Sequence, residues 1–165
     1  MPRRWLLLLG LLAAACGGSS KASTPSASVT TPPTTAAHPT TTLTVEAQVE
    51  AAYLHSWDVY AHAMLELDPG QLGGSYAGAA LDGALKELDD LRAHNQRARY
   101  QVTHNYTINV DAGIATVVDR YVNHSVTLDG STRQPLEPDP NDDKTQVYLL
   151  RQIEGVWKVV DIRSE

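Results

Sequence analysis

The spacing of apolar residues changes once along this chain, near residue 100. Between residues 44 and 91 they recur every three or four positions, as on the buried face of an amphipathic helix. After residue 100 they alternate with polar residues, as in a strand with one buried face. The order of the two patterns predicts helices followed by an antiparallel sheet, which is an α+β domain over residues 44–165.

Two long helices are predicted from the first pattern. The first begins after Thr44, whose hydroxyl suits the N-cap position, and ends at Asp68-Pro69-Gly70. Ser75 is predicted to cap the second helix. The side chains that we expect this second helix to turn toward the core are Leu81, Ala84, Leu85, Leu88 and Leu91.

Four strands are predicted from the second pattern. The second of them is longer than most strands, so we expect a bend near Asn123-His124. A tight turn at Glu154-Gly155 joins the last two. The predicted strands cover residues 100–110, 114–128, 145–153 and 156–162.

The last predicted strand carries the run Gly-Val-Trp-Lys-Val-Val-Asp-Ile at residues 155–162. After two helices and three strands, this ending resembles the cystatin-like cone of the nuclear transport factor two and SnoaL-like superfamily. Within that superfamily, residues 53–161 are similar to the IMS domain of plastid and cyanobacterial division proteins. The segments that carry this similarity are Leu54-His55-Ser56-Trp57, Met64-Leu65-Glu66-Leu67-Asp68, Arg99-Tyr100-Gln101-Val102 and Val156-Trp157-Lys158-Val159.

The resemblance implies helices packed on a curved antiparallel four-stranded sheet. Such a cone is either filled by side chains or hollow enough to hold a small apolar ligand. In the plastid proteins the IMS domain serves partner contact, so the resemblance implies a non-enzymatic role by analogy. The fold by itself fixes no reaction.

The N-terminal pattern is that of an export signal. Arg3 and Arg4 precede an apolar run that is too short to cross a bilayer, and small residues lead to Cys16. This ending resembles a bacterial lipobox, in which the cysteine is acylated by chains such as palmitate and becomes the first residue of the mature protein. We therefore expect a signal peptide at residues 1–15 and a lipid-anchored domain on the extracytoplasmic face of the cell membrane. The alternative is ordinary cleavage after Ala15, which would release a soluble protein.

Residues 16–43 consist almost wholly of Gly, Ser, Thr, Ala and Pro after the lipidated Cys16. This composition does not bury a core, so we expect a tether that reaches about 80 Å when fully extended. Because Cys16 is the only cysteine in the chain, the domain beyond it has no thiol for a disulfide.

Charge distinguishes the domain from the N-terminal segment. All 19 Asp and Glu residues but only ten of the 13 Lys and Arg residues follow Thr44, which gives the domain a formal charge of −9. This sign repels phosphate backbones and anionic lipid head groups, so nucleic acid is not expected as a partner. The expected partners are the membrane, through the acyl chains on Cys16, and another extracytoplasmic protein, with a small apolar or anionic ligand as an alternative.

Four basic side chains are the candidate ligand-binding residues. His104 interrupts an apolar strand face that should point into the cone. If the apolar residues at 114, 118, 122, 126 and 128 are buried, Arg120 and His124 also point inward, and Arg151 joins them if residues 147, 149 and 153 are buried. A cluster of His104, Arg120, His124 and Arg151 predicts a carboxylate or another anionic group as ligand.

An enzyme of this superfamily usually places a general acid or base inside the cone. His104, together with Tyr53 and Tyr60 of the first helix, would supply such groups. The strand alternation given above places Asp119 on the opposite face, so a carboxylate partner for His104 is not expected. No catalytic residue is therefore assigned.

Two segments have the composition of a metal site. His55, Asp58 and His62 share one arc of the first helix, but that arc lies opposite the apolar stripe and is interpreted as a solvated face. Residues 139–143 are rich in oxygen ligands but lack the ligand order of a calcium loop. No metal or cofactor is predicted.

These observations favour a lipid-anchored extracytoplasmic binding or protein-interaction module without catalytic activity. The first alternative is a small-ligand carrier that uses the cone interior, and the second is an isomerase or dehydratase-like enzyme that uses His104. A hollow cone with converging polar groups would favour the alternatives. A cone plugged by Trp57, Tyr100, Tyr106 and Trp157 would favour surface contact.

Overall fold

The structure of the protein is a computed structural model that describes residues 43–165. The predicted signal peptide at residues 1–15, the acylation of Cys16 and the tether up to residue 42 lie outside these residues. Among the described helices, none combines the length and the apolar character needed to cross a membrane.

The helical part consists of α1 (Val45–Glu66), a single turn α2 (Leu72–Ser75) and α3 (Gly78–Ala93). The predicted start of α1 is confirmed, since the Thr44 hydroxyl accepts a hydrogen bond from the backbone N–H of Ala47 at 3.2 Å. The predicted cap of the second long helix is wrong. Ser75 belongs to α2, and α3 begins three residues later without a side-chain cap.

The late start of α3 has a tertiary cause. Tyr76 is extended and forms a parallel bridge with Val159, and the backbone N–H of Ala77 donates to the Val159 carbonyl at 2.9 Å. Pairing with the last strand therefore holds these two residues out of the helix. The buried side of α3 is as predicted except for Leu85, which is 37% exposed. The buried positions on it are Ala80, Ala84, Leu88 and Leu91.

The strands form a large sheet and a small one. In the large sheet β2 and β3 both pair with β4, which pairs with β6, and β6 pairs with β7, so the sheet is four strands wide as predicted. In the small sheet β1 pairs with β5. The strands are β1 (Gln96–Arg99), β2 (Val102–Thr103), β3 (Tyr106–Asp111), β4 (Ile114–Asn123), β5 (Val126–Asp129), β6 (Asp142–Ile153) and β7 (Val156–Ser164).

Local sequence sets the breaks and turns of the sheets. The predicted bend at Asn123-His124 is confirmed, because β4 ends at Asn123 and β5 begins at Val126. The predicted turn at Glu154-Gly155 is also confirmed, and both residues have positive φ angles of 54° and 80°. Two successive positive φ angles are typical of the two-residue turns that match strand twist. The observed α+β fold, with helices against an antiparallel sheet, agrees with the predicted cystatin-like class.

The core lies between the helices and the inner face of the large sheet. On β4 this face carries Ala115, Val117, Asp119 and Tyr121, which are all buried. The predicted phase of β4 is therefore wrong by one residue. Because β4 is an interior strand with apolar residues on both faces, alternation alone does not distinguish the two sides. The same error affects β6, whose buried residues include Tyr148 and Leu150.

Tyrosine supplies much of this core. Burial raises the pKa of Tyr121 to about 12. The hydrogen bond that Tyr106 donates to Glu50 at 2.6 Å raises the pKa of Tyr106 to about 12. Burial also holds five further phenol pKa values well above the usual range, those of Tyr53, Tyr60, Tyr76, Tyr100 and Tyr148.

These pKa shifts predict that alkaline pH unfolds the domain. Tyrosines of the unfolded chain ionise near pH 10, whereas those of the folded domain still hold their protons there. Tyrosine ionisation should not change the free energy of unfolding below about pH 10. Above that pH, the free energy of unfolding should fall as the pH rises toward the folded-state pKa values. Urea unfolding followed by circular dichroism across this range, with tyrosinate absorbance recorded in parallel, checks the prediction. Tyrosinate absorbance that rises near pH 10 while the domain stays folded and fully stable would contradict it.

Candidate functional site

Two of the predicted site residues lie on the outer face of the sheet. Arg120 on β4 and Arg151 on β6 are both exposed. Arg120 is opposite Thr145, whereas Arg151 is opposite Ile114. Six positions along β4 separate these pairs, so the two arginines are about 20 Å apart. The expectation that Arg120 and Arg151 point into the cone is wrong, because the buried faces of β4 and β6 are shifted by one residue.

The two histidines lie in separate surroundings. His124 follows the end of β4, and its Nδ1 is 3.1 Å from Oδ2 of Asp139 in the following loop. His104 lies between β2 and β3, and 19% of its side chain is exposed. The four predicted basic residues therefore do not meet in one cluster.

A buried carboxylate lies beside His104. Asp119 is 0% exposed, and its Oδ2 is 2.6 Å from Nδ1 of His104. The same Oδ2 accepts a hydrogen bond from the Tyr53 hydroxyl at 2.7 Å, and Oδ1 accepts one from the backbone N–H of Asn105 at 2.9 Å. The expectation that His104 lacks a carboxylate partner is wrong, again because of the phase of β4.

A gap in strand pairing makes room for this carboxylate. Residues 102 and 103 of β2 and residue 106 of β3 pair with β4 in one continuous register, and only His104 and Asn105 interrupt the strand. The N–H of Asn105 donates to Asp119, while its carbonyl accepts from the N–H of Arg120 at 3.0 Å. With Asp119 as acceptor, His104 carries its proton on Nδ1, which leaves Nε2 as the basic nitrogen of the ring.

Trp57 extends this network toward the surface. Its indole N–H donates to the Tyr53 hydroxyl at 2.9 Å, and its ring centroid is 5.2 Å from that of His104 in an edge-to-face arrangement. On the same side lies a depression of about 340 Å³. It is lined by His104, Trp57, Tyr100, Leu54, Asp58, Ala61, Gln101 and Val102.

A second cavity shares the wall formed by Trp57 and Tyr100. It has a volume of about 360 Å³ and opens between the helices, the large sheet and the β1–β5 sheet. Aromatic rings line much of it, those of Trp57, Tyr60, Tyr76, Tyr100, Tyr121 and Tyr148. The rest of its lining consists of the polar side chains of Glu87, Asn123, Ser125, Thr127 and Gln146 and of Ala98, Val126 and Ile162. We call it the aromatic cavity.

Glu87 is the only charged side chain in the described lining of the aromatic cavity. It projects from α3 and is half-buried. The hydroxyls of Tyr60 and Tyr100 donate hydrogen bonds to its two carboxylate oxygens. Burial, and then the nearby negative charge of Glu87, raises the pKa of the Tyr100 phenol, so this donor keeps its proton at neutral pH.

Glu87 is not among the site residues predicted from the sequence. A signal for it does exist, because Glu87 follows Ala84 by three positions and precedes Leu91 by four, so it lies on the buried stripe of α3. An acidic residue on an apolar stripe indicates a polar partner inside the fold.

The predicted solvated arc of α1 is exposed at His55, Asp58 and His62. Glu66, which continues the arc, pairs with Arg133 at 3.0 Å and with Arg97 at 3.7 Å. Within residues 43–165, no group of three or more His, Cys, Asp or Glu side chains is arranged to hold a metal ion.

Comparison with known proteins gives a fold but no family. No protein-family model and no curated protein matches the chain. Among solved structures, the intermembrane space region of the chloroplast protein ARC6 is similar, with a TM-score of 0.58, 11% identity and coverage of 74% of this chain and 98% of that one. The predicted similarity to the IMS domain is thereby confirmed at the level of the fold.

Two bacterial structures are similar at a lower level. A protein of unknown function from Mycobacterium tuberculosis matches with a TM-score of 0.50 and 16% identity over 70% of each chain. A protein from Catenulispora acidiphila matches with a TM-score of 0.50 and 11% identity over 72% of this chain and 91% of that one. At these identities the likeness concerns the fold alone, so function has to be argued from the side chains of this domain.

Proposed function

We propose that this domain binds a small molecule in the aromatic cavity, and that it does so while anchored outside the cell membrane through Cys16. The observation that carries the proposal is a hollow of about 360 Å³ with an aromatic wall and a few converging polar groups. Pockets of this size, with mostly apolar walls and few polar groups, are typical of small-molecule sites. Of the predicted alternatives, this is the small-ligand carrier.

The side chains expected to plug the cone support this choice. Trp57 and Tyr100 stand at the wall of the aromatic cavity and leave its space open. Tyr106 packs edge-to-face on Tyr53, with ring centroids 5.4 Å apart, and Trp157 lines a different groove. A surface that recruits another extracytoplasmic protein stays a prediction from the IMS resemblance.

An acid–base enzyme is the second candidate function. The specific observation in its favour is the pairing of His104 with Asp119 next to the depression of about 340 Å³. A buried carboxylate on Nδ1 orients the imidazole and leaves Nε2 to exchange protons with a substrate. With a carbonyl compound, Nε2 would take a proton from the α-carbon, the electron pair would move to the carbonyl oxygen, and the proton would then return.

The membrane anchor rests on the sequence of the N-terminal segment. Arg3 and Arg4, the short apolar run and Cys16 together support acylation, and residues 16–43 have the composition of a flexible connection. Two or more acyl chains hold a protein stably at a membrane. In this arrangement the aromatic cavity would meet its ligand outside the cytoplasm.

Filling the aromatic cavity should weaken binding of a ligand. Thr127 faces the cavity opposite Ala98, so Thr127→Phe places a ring in the space. With benzyl alcohol as probe, nuclear magnetic resonance of the wild type should show a saturable shift of the Trp57 indole N–H, and the variant should bind at least about tenfold more weakly. Thr103→Phe, at an exposed site outside the cavity, is the matched control and should bind as the wild type does. The absence of a saturable shift in the wild type with all of benzyl alcohol, benzyltrimethylammonium and benzoate would refute the proposal.

The enzyme candidate predicts proton exchange at carbon. In deuterium oxide, the domain should speed the loss of the α-protons of acetophenone by about 100-fold or more over buffer. His104→Gln should return the rate to that of buffer. His124→Gln changes a histidine that also contacts an aspartate but lies away from the depression, so its rate should be unchanged. A wild-type rate equal to that of buffer would remove this candidate.

If acylated Cys16 is the membrane anchor, replacing it should change the cell fraction in which the protein is found. A Cys16→Ala variant should lose acylation and move from the membrane to the soluble fraction, or accumulate as precursor, because the acyl chains supply the attachment. Fractionation and mass analysis of the mature N-terminus check this. Membrane retention of the variant without precursor, or a wild-type Cys16 without acyl groups, would contradict it.

A further inference from the structure

We propose that the aromatic cavity is selective for organic cations, specifically a substituted ammonium group. This inference rests on the proposed function and names the class of ligand that the same cavity takes. The charge of this ligand is opposite to the one expected from the sequence, because four basic side chains there predicted an anionic ligand.

The aromatic wall is the first argument. The ring centroids of Trp57 and Tyr100 are 6.4 Å apart, those of Tyr60 and Tyr100 are 5.0 Å apart, and those of Trp57 and Tyr121 are 5.6 Å apart. All these rings line one cavity and pack against one another edge-to-face or tilted, so they form a continuous aromatic wall with ring faces and edges in several orientations. A cation within about 6 Å of such ring faces is attracted by their negative π clouds, and tryptophan attracts it most strongly.

The charge of Glu87 is the second argument. None of the ion pairs among residues 43–165 includes Glu87, although its neighbours Lys86 and Asp89 each pair on the outer side of α3. No Lys, Arg or His lines the aromatic cavity within the same residues. The phenols of Tyr60 and Tyr100 orient the carboxylate without neutralising it, because burial raises the pKa of both and keeps them protonated. A bound cation would supply the missing opposite charge.

The third argument is that most tyrosine hydroxyls lining the aromatic cavity already donate hydrogen bonds to other groups of the protein. Tyr60 and Tyr100 donate to Glu87, Tyr148 donates to Gln146, and Tyr76 donates to the Ser56 carbonyl at 2.9 Å. An anionic ligand needs hydrogen-bond donors, and these four phenols have already placed theirs within the protein. The hydroxyls of Tyr121, Ser125 and Thr127 and the amide of Gln146 are the donors that remain in the lining. Most phenols of the cavity therefore offer a ligand their π faces and oxygen lone pairs, which suit an ammonium group.

The oxygen atoms that line the aromatic cavity favour an organic cation over a metal ion. Calcium and magnesium need several oxygen ligands, usually with more than one carboxylate. The aromatic cavity offers one carboxylate, and the side-chain oxygen of Asn123 already accepts a hydrogen bond from the backbone N–H of Ser125 at 3.0 Å. The formal charge of −9 on the domain adds a long-range attraction for cations that is not specific to any site.

Three probes of similar shape test the inference: benzyltrimethylammonium, benzyl alcohol and benzoate. We expect the cation to bind at least about tenfold more tightly than the neutral probe, with benzoate weakest, in nuclear magnetic resonance titrations of the Trp57 indole N–H. Glu87→Gln should weaken binding of the cation about tenfold more than it weakens binding of benzyl alcohol, because only the cation loses an ionic partner.

The matched control is Glu50→Gln. Glu50 also accepts a tyrosine hydroxyl, that of Tyr106, but it is exposed and outside the aromatic cavity, so this change alters the net charge equally without touching the site. Equal loss of cation binding in Glu50→Gln and Glu87→Gln would overturn the role of Glu87. Binding of benzyl alcohol as tight as that of the cation, or tighter binding of benzoate, would overturn cation selectivity while the proposed ligand cavity stood. Failure of all three probes would overturn the proposed function itself. Retained binding of benzyl alcohol in Glu87→Gln also shows that this variant is folded.

Discussion

The carboxylate of Asp119 joins three separate parts of the chain inside the core. It accepts hydrogen bonds from Tyr53 of α1, from the backbone of Asn105 at the gap between β2 and β3, and from His104 beside it. A carboxylate with 0% exposure is stable only when donors replace the lost water. Removing such a group leaves the remaining buried donors without partners, which costs several times more than an exposed hydrogen bond. The position of α1 over the sheet is therefore fixed by a polar contact as well as by apolar packing.

The aromatic cavity depends on that contact through a short series of bonds. Tyr53 accepts from the indole of Trp57, so the orientation of Trp57 follows from that of Asp119. One turn further along α1, Tyr60 reaches Glu87 of α3, and Tyr100 reaches the same carboxylate from the segment before β2. The hydrophobic effect brings these rings together, but the hydrogen bonds keep them at the edge of a space rather than collapsed into it. The shape of the aromatic cavity therefore depends on the hydrogen bonds that two carboxylates accept, those of the buried Asp119 and the half-buried Glu87.

Much of the fold follows from local sequence signals. Thr44 predicts the start of α1, the Glu154-Gly155 pair predicts the last hairpin, and the change of period near residue 100 predicts the order of helices and strands. The site was not predictable in the same way, because it depends on the phase of β4. That strand has apolar residues on both faces, and a shift of one residue exchanges Asp119 for Arg120 on the inner side. Only the packing of the sheet against α1 decides whether Asp119 or Arg120 lies on the inner face of β4. Because Asp119 does, the inner face carries acidic and aromatic side chains instead of the expected basic cluster.

The free energy of unfolding of Asp119→Ala, measured by urea denaturation at neutral pH, tests most directly whether this buried carboxylate holds the domain together. We expect a loss of about 3–5 kcal/mol relative to the wild type, because three donors lose their buried acceptor, together with a displaced Trp57 indole N–H resonance. Glu50→Ala, which removes an exposed acceptor of a tyrosine hydroxyl, should change the stability little. An Asp119→Ala domain as stable as the wild type, with the Trp57 resonance unmoved, would show that the Asp119 carboxylate does not hold α1 on the sheet.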